Sequence, residues 1–319
     1  MTSVLRRVVA PFAAVTALVA TMSACGTGPS QINSAVIIDG HVISVDEVQS
    51  LVDKVVKEPA ARPLAAQHKL DLVAREAVTQ LVNHRLIAEV AREENLRVDE
   101  SQLSQLRQQN PLAQKLPTDG SVPTEQLVPI LVDRARGFDA YANDSLLLME
   151  LAKKYLGRAE ATISVAGFSD FGKAKALAEK IAAQPDKGAD LMRSAGADGE
   201  PQLNVNTGPT MLALQLQLPK QTVLVVNQPG TAQSAGGYFV VQVLSTKVAS
   251  SPSPNADSSQ TDPNQLPLYG KYLLRERLTD KGIQLSPRYG AWNTAEMKAV
   301  PKSEADLTGM LLLPKNDKQ

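Results

Sequence analysis

The sequence predicts an α+β protein, mainly helical in its first half and mixed in its second. Two observations carry this. Between about residues 45 and 156, apolar residues recur at steps of three and four, the spacing of helix faces. After Gly157, short runs such as "ATISVAGF", "TVLVVNQ" and "GGYFVVQVLS" alternate with short helical patterns, the make-up of a small α+β unit.

The chain has 319 residues and one cysteine, Cys25. Arg6 and Arg7 precede an apolar run from Val8 to Ala20. That run contains Pro11 and is shorter than the roughly 20 residues a membrane span needs. A basic start, a short apolar stretch and small closing residues describe an export signal, residues 1–24. The tetrad Met22-Ser23-Ala24-Cys25 resembles a bacterial lipobox. That resemblance implies cleavage before Cys25, lipid attachment to its thiol, and anchoring on the extracytoplasmic face of the cell membrane. Several acyl chains, at about 0.8 kcal/mol per buried CH₂, hold where one would not. The simpler alternative is an ordinary export signal with an incidental cysteine. No disulfide can form within a chain that has a single thiol.

Residues 25–33 read as a tether rich in Gly, Pro and Ser. A strand from Ala35 to Ile38, a turn at Asp39-Gly40 and a strand from His41 to Ser44 follow. Ser44 and Glu47 then form a capping box for a helix to about Lys57. One long helix is expected from Pro63 to Asn95. Its apolar stripe runs through Leu70, Val73, Ala77, Leu81, His84 and Ala88. Asp99 opens a helix to about Gln109, and a second unbroken helix is expected from Thr124 to Leu156 with Gly137 inside it. Residues 158–249 read as β-α-α-β-α-β-β, and 250–265 as a low-complexity linker. A last helix and an extended piece with Arg288, Tyr289 and Trp292 occupy 266–300, and residues 301–319 are expected to be a flexible tail.

Lys plus Arg and Asp plus Glu each number 33, and removing the leader takes away two arginines, leaving a charge of about −2. That balance argues against a nucleic-acid partner, which demands a basic surplus. Neither G-x-x-x-x-G-K-[ST] nor G-x-G-x-x-G occurs, so nucleotide binding has no support. There is no G-x-S-x-G, and His41, His68 and His84 with one cysteine lack the spacing of a zinc site. No metal or cofactor is expected. His84 is most simply a half-buried histidine bonded to a carboxylate or backbone partner, His41 a turn residue, and Trp292 a side chain packing the C-terminal strand on the core.

"AVIIDGHVISVDEV" resembles the opening of the SurA and PrsA family of exported folding factors. "NHRLIAEVAREENLRVDESQL" resembles a later helical segment of that family, with Asn95 where glycine is usual. "LSPRYGAWN" is similar to the C-terminal signature of actinobacterial SurA-like lipoproteins. The resemblance implies that residues 34–157 and 266–300 together form one mainly helical SurA-like chaperone domain, with residues 158–249 inserted as an α+β module. In relatives that module is a parvulin-type peptidyl-prolyl isomerase. "ISVAGFSDFGKAKALAEKI" resembles its first strand and helix, and "TVLVVNQPGTAQSAGGYFVVQVLS" its last hairpin.

The resemblance stops at the chemistry. Active parvulins carry a histidine in the first strand and another in the final "G-Y-H-I-I". Here Thr162 to Val165 contains none, and Phe239 occupies the final histidine's place. The isomerisation barrier of ~18–20 kcal/mol would therefore face a module without those groups. The expectation is a degenerate parvulin-like module with no catalytic residue, in a protein that is not an enzyme. Its expected work is that of a membrane-anchored periplasmic or extracytoplasmic chaperone. Unfolded or nascent exported proteins would bind in a cleft between the helical domain and the module, at residues the sequence does not identify. The alternative is an envelope lipoprotein with one dedicated structural partner. A solute-binding lipoprotein is less favoured, because its repeated βαβ lobes are missing.

Overall fold

A computed structural model describes residues 33–228, 230, 236–253, 262–279, 282–305, 307 and 309–314. The leader, Cys25 and most of the tether lie outside the described residues, as does the centre of the low-complexity linker.

β1 (Ser34–Ile38) and β2 (His41–Ser44) form an antiparallel hairpin. Its turn places Asp39 at φ 48° and Gly40 at φ 75°, the pair of positive angles a two-residue hairpin loop needs. α1 (Val45–Val56) follows without a loop because Ser44 caps it. The Ser44 hydroxyl accepts the Glu47 N–H at 3.1 Å, and the Glu47 carboxylate accepts the Ser44 N–H at 2.7 Å. Ser44→Ala should therefore cost about 1 kcal/mol, read as a lower midpoint in thermal unfolding. An unchanged midpoint would mean that the cap is idle.

The helix expected over 63–95 is two helices, α2 (Arg62–Ala66) and α3 (Leu70–Glu93). His68 stands between them at φ 55°, and the Lys69 N–H bonds back to the Leu64 carbonyl at 2.9 Å. This is a left-handed helix end of the kind usually made by glycine, so composition gave no signal for it. The apolar stripe also differs from expectation. Val73, Ala77, Val82, Leu86, Ile87 and Val90 are buried, while His84 and Ala88 face solvent. α3 is packed from several sides, so its buried face is wider than one stripe and turns along its length. At its end Asn95 sits at φ 52° with the Leu96 N–H on the Ala91 carbonyl at 2.8 Å. Asparagine thus performs the turn for which the family uses glycine.

α4 (Glu100–Gln109) is capped by the Asp99 carboxylate, as its sequence predicts. The helix expected over 124–156 is broken into α5 (Thr124–Arg136) and α6 (Phe138–Tyr155). Gly137, at φ 98° and ψ 154°, is the break, in a conformation that L side chains rarely adopt.

Next come β3 (Ala159–Phe168), α7 (Phe171–Ala183), α8 (Gly188–Ser194), β4 (Gln202–Asn206), α9 (Met211–Gln215), β5 (Val223–Gln228) and β6 (Gly237–Val248), in the order the sequence predicts. α7 and α8 cover one face of the sheet, where Ala166, Phe168, Val225 and Val240 meet Leu177, Ile181 and Met192. The other face carries Ile163, Leu224, Val241 and Val243, packed on Leu216 and Leu218 just past α9.

α10 (Leu266–Leu273) lies along α6, and α11 (Arg275–Thr279) follows. β7 (Ile283–Leu285) pairs with β1, placing Leu285 opposite Val36. β8 (Ala291–Asn293) and β9 (Lys298–Val300) make a small hairpin. Leu273, Leu274, Leu278, Tyr289 and Met297 enter the same core as Val48, Leu86 and Leu131. The chain's two distant segments thus build one helical core, with the α+β unit between them in sequence. The tail expected to be flexible instead supplies β10 (Gly309–Leu312), which pairs with β5 and completes the sheet order β10-β5-β6-β3-β4. Its alternation explains the fit: Met310 and Leu312 reach the core under α7, while Leu311 reaches the opposite one. The Asn293 amide, donating to the Gly309 carbonyl at 3.0 Å, fixes the approach of this strand.

Candidate functional site

Period-two alternation puts Ile163 and Val165 of β3, Leu224 and Val226 of β5, and Phe239 and Val241 of β6 on one face of the sheet. α9 covers only part of that face. Tyr272 and Arg275, at the α10–α11 junction, and Ala295 and Glu296, in the β8–β9 turn, stand over the rest. Between them lies a cleft of about 390 Å³. Three of its apolar side chains remain well exposed: Leu212 at 48%, Val226 at 39% and Phe239 at 37%. These side chains leave apolar surface open beside a packed core.

Phe239 pairs with Gly167 of β3 and Val226 of β5. Its ring edge lies 3.4 Å from where a Cβ at Gly167 would be, so the missing side chain gives the ring its seat. The position that the family resemblance assigns to a histidine therefore opens on this cleft and presents a hydrocarbon ring. Among the described residues, no histidine or cysteine lines the cleft.

Its polar end is made by Arg275, Tyr272 and Glu296. Arg275 is 7% exposed, and its guanidinium lies 4.1 Å from the centre of the Tyr272 ring. Nη1 donates to the Gln215 carbonyl at 3.4 Å, and the buried Nε has no acceptor. Loss of solvent pulls the guanidinium's pKa down to about 10, an effect the nearby Tyr272 and Glu296 only partly offset. Glu296 itself is directed to Lys298, Oε2 to Nζ 3.6 Å. Sequence reasoning missed Arg275: "LLRER" reads as a solvated helix face, and nothing local marks one of its arginines as buried.

The histidines lie elsewhere. His41 begins β2, His68 turns the chain into α3, and His84 Nδ1 meets Asp144 Oδ1 at 2.7 Å, the carboxylate partner expected for it. Trp292 packs half-buried on the helical core. Among the described residues, no His, Cys, Asp and Glu group could hold a metal ion, and no helix is long and apolar enough to cross a membrane.

Further cavities occur, two of them beside ion pairs. One of about 540 Å³ lies beside the 110–118 loop, where Arg134 is tied to Glu58 at 3.6 Å and to the Gln114 carbonyl. The other, about 220 Å³, opens among α3, α5, α6 and α10 and is lined by ionisable groups: Glu76, Asp133, Arg136, Asp144 and Lys271. Burial pushes the Asp133 carboxyl up to about 7 despite Arg136 at 3.7 Å. Burial likewise raises Glu76 and lowers Lys271, each toward its neutral form.

Residues 3–131 match the family model described as a SurA-like N-terminal domain. No curated protein matches the chain in sequence. Among solved structures, the foldase protein PrsA from Streptococcus pneumoniae aligns with 78% of this chain and 94% of its own, at 13% identity and a TM-score of 0.24. An overlay that loose says nothing of fold or activity.

Proposed function

We propose that this chain is a holding chaperone, anchored by lipid at Cys25 on the extracytoplasmic face of the membrane, and that it binds extended apolar segments of exported proteins without isomerising proline bonds. The observation that carries the reading is the set of open apolar side chains in one cleft, Leu212 on α9 and Val226 and Phe239 on the sheet. The match to a SurA-like N-terminal domain supports a role in protein folding. The absence of histidine from the module supports binding without turnover, because nothing in the cleft resembles the paired groups of an active parvulin. The lipid anchor rests on the leader and lipobox-like residues alone.

The test is a binding titration of fluorescent apolar peptides on the full chain, run beside a prolyl-isomerase assay and an aggregation assay with an unfolded client. Binding with no rate enhancement, and delayed aggregation at stoichiometric ratio, are expected. Phe239→Asp should weaken peptide binding about tenfold, since it replaces an apolar contact of ~1.5–3 kcal/mol with a charge that must be desolvated. Unaltered binding would remove the cleft from the function, and clear catalysis would overturn the non-enzymatic reading. Crosslinking to one dominant partner, rather than many clients, would favour the envelope scaffold instead.

A further inference from the structure

We propose that the cleft recognises a carboxylate on the extended peptide it holds, docked on Arg275. This deepens the holding function and rests on it.

A guanidinium has five N–H donors and is costly to bury without an anion. Arg136, with 7% of its side chain exposed, has two carboxylates, Asp144 and Asp133. Among the described residues, Arg275 is buried to the same degree and forms no ion pair; it donates a long hydrogen bond to a backbone carbonyl, and Nε has no acceptor. The Tyr272 ring, 4.1 Å away, holds the plane of the guanidinium in place. Glu296, the carboxylate in the same cleft, is directed to Lys298. Arg275 thus lines the same cleft as the apolar side chains, its guanidinium plane held and one donor unsatisfied. That geometry suits a planar carboxylate, which accepts two parallel N–H bonds. The cleft's hydrocarbon walls suit the apolar chain carrying it. The carboxylate could be the peptide's C-terminus or an Asp or Glu side chain, and the chemistry at Arg275 is the same for both.

The test uses the full chain and one labelled peptide of valine, leucine and serine in three forms: a free C-terminal carboxylate, a C-terminal amide, and an amide with one internal glutamate. At least one carboxylate form should bind about tenfold more tightly than the plain amide, the effect of a hydrogen bond to a charged group. Whichever form gains identifies the source of the carboxylate. Arg275→Gln should abolish the gain while the plain amide still binds, and Arg275→Lys should recover only part of it, because an ammonium lacks the fork. Equal binding of all three forms to the unaltered protein would overturn the carboxylate site and leave the holding function standing. No binding by any form would remove both. If the Arg275 variants fail to fold, as judged by circular dichroism, the ratio measured on the unaltered protein decides alone.

Discussion

Gly270→Ala is expected to lower the unfolding free energy by about 3 kcal/mol, a large change for the addition of one methyl group. In a solvated helix the same change would be stabilising by ~0.5–1 kcal/mol, because alanine is the better helix former. The sign reverses here because α10 crosses α6 at this residue. A Cβ at Gly270 would run into the Leu148 carbonyl oxygen, with the Leu148 carbonyl carbon and Cα just behind. Backbone atoms cannot swing aside as a side chain can, so the helices must part. Leu273 and Leu274, one turn on, would then withdraw from the helical core they complete. Tyr272 and Arg275 would move with them and unroof the cleft, so peptide binding should fall together with stability. Urea unfolding checks the first effect. A variant as stable as the unaltered protein would show that the two helices do not meet at this point.

The second large effect concerns pH. The Asp133 carboxyl has an ordinary value near 3.8 in the unfolded chain and is pushed up to about 7 by burial when folded. Between those values the folded state holds more protons than the unfolded one, so stability falls as pH rises from about 4 to about 7. Arg136 on the same helix opposes this, while Glu76 of α3 and Asp144 of α6 reinforce it. A tenfold change in a proton equilibrium is about 1.4 kcal/mol, which makes ~4 kcal/mol the ceiling, and the 20% of the Asp133 side chain left exposed reduces it to about 2. Asp133→Asn should therefore stabilise the protein by about 2 kcal/mol at pH 8 and by almost nothing at pH 4. Denaturant melts at both pH values test this. An equal effect at the two would mean that the carboxylate is well solvated in the folded protein.

Local signals in the sequence were largely readable. The capping box at Ser44, the Asp39-Gly40 turn and the order of elements from β3 to β6 follow from residues close together in the chain. What local pattern could not reveal are the places where distant segments decide the outcome. His68 ends a helix without glycine, and Gly137 looks tolerable inside a helix until the direction of the next helix demands its positive φ. The run Gly309 to Leu312 is too short to announce itself as a strand, and it becomes one because β5 offers an open edge. The candidate site divides the same way. Phe239 could be singled out by comparing it with a family pattern, whereas Arg275 becomes visible only once α10 and α11 stand over the sheet. The cavity lined by ionisable groups draws Glu76, Asp133, Asp144 and Lys271 from four helices, and no spacing in the sequence joins them.

The pairing of β1 with β7, and of β5 with β10, also fixes when the molecule can finish folding. At roughly 5–20 residues per second of synthesis, Val36 waits on the order of tens of seconds for Leu285 to be made. The helical core lacks Leu273 and Leu274 until shortly before then, and Met297 until after it. β5 gains its outer neighbour later in synthesis, although Leu312 follows Val223 by fewer residues than Leu285 follows Val36. Such high sequence separation slows folding by deferring the contacts that repay loop closure. Without β10, β5 would be a bare sheet edge open to strands from other chains.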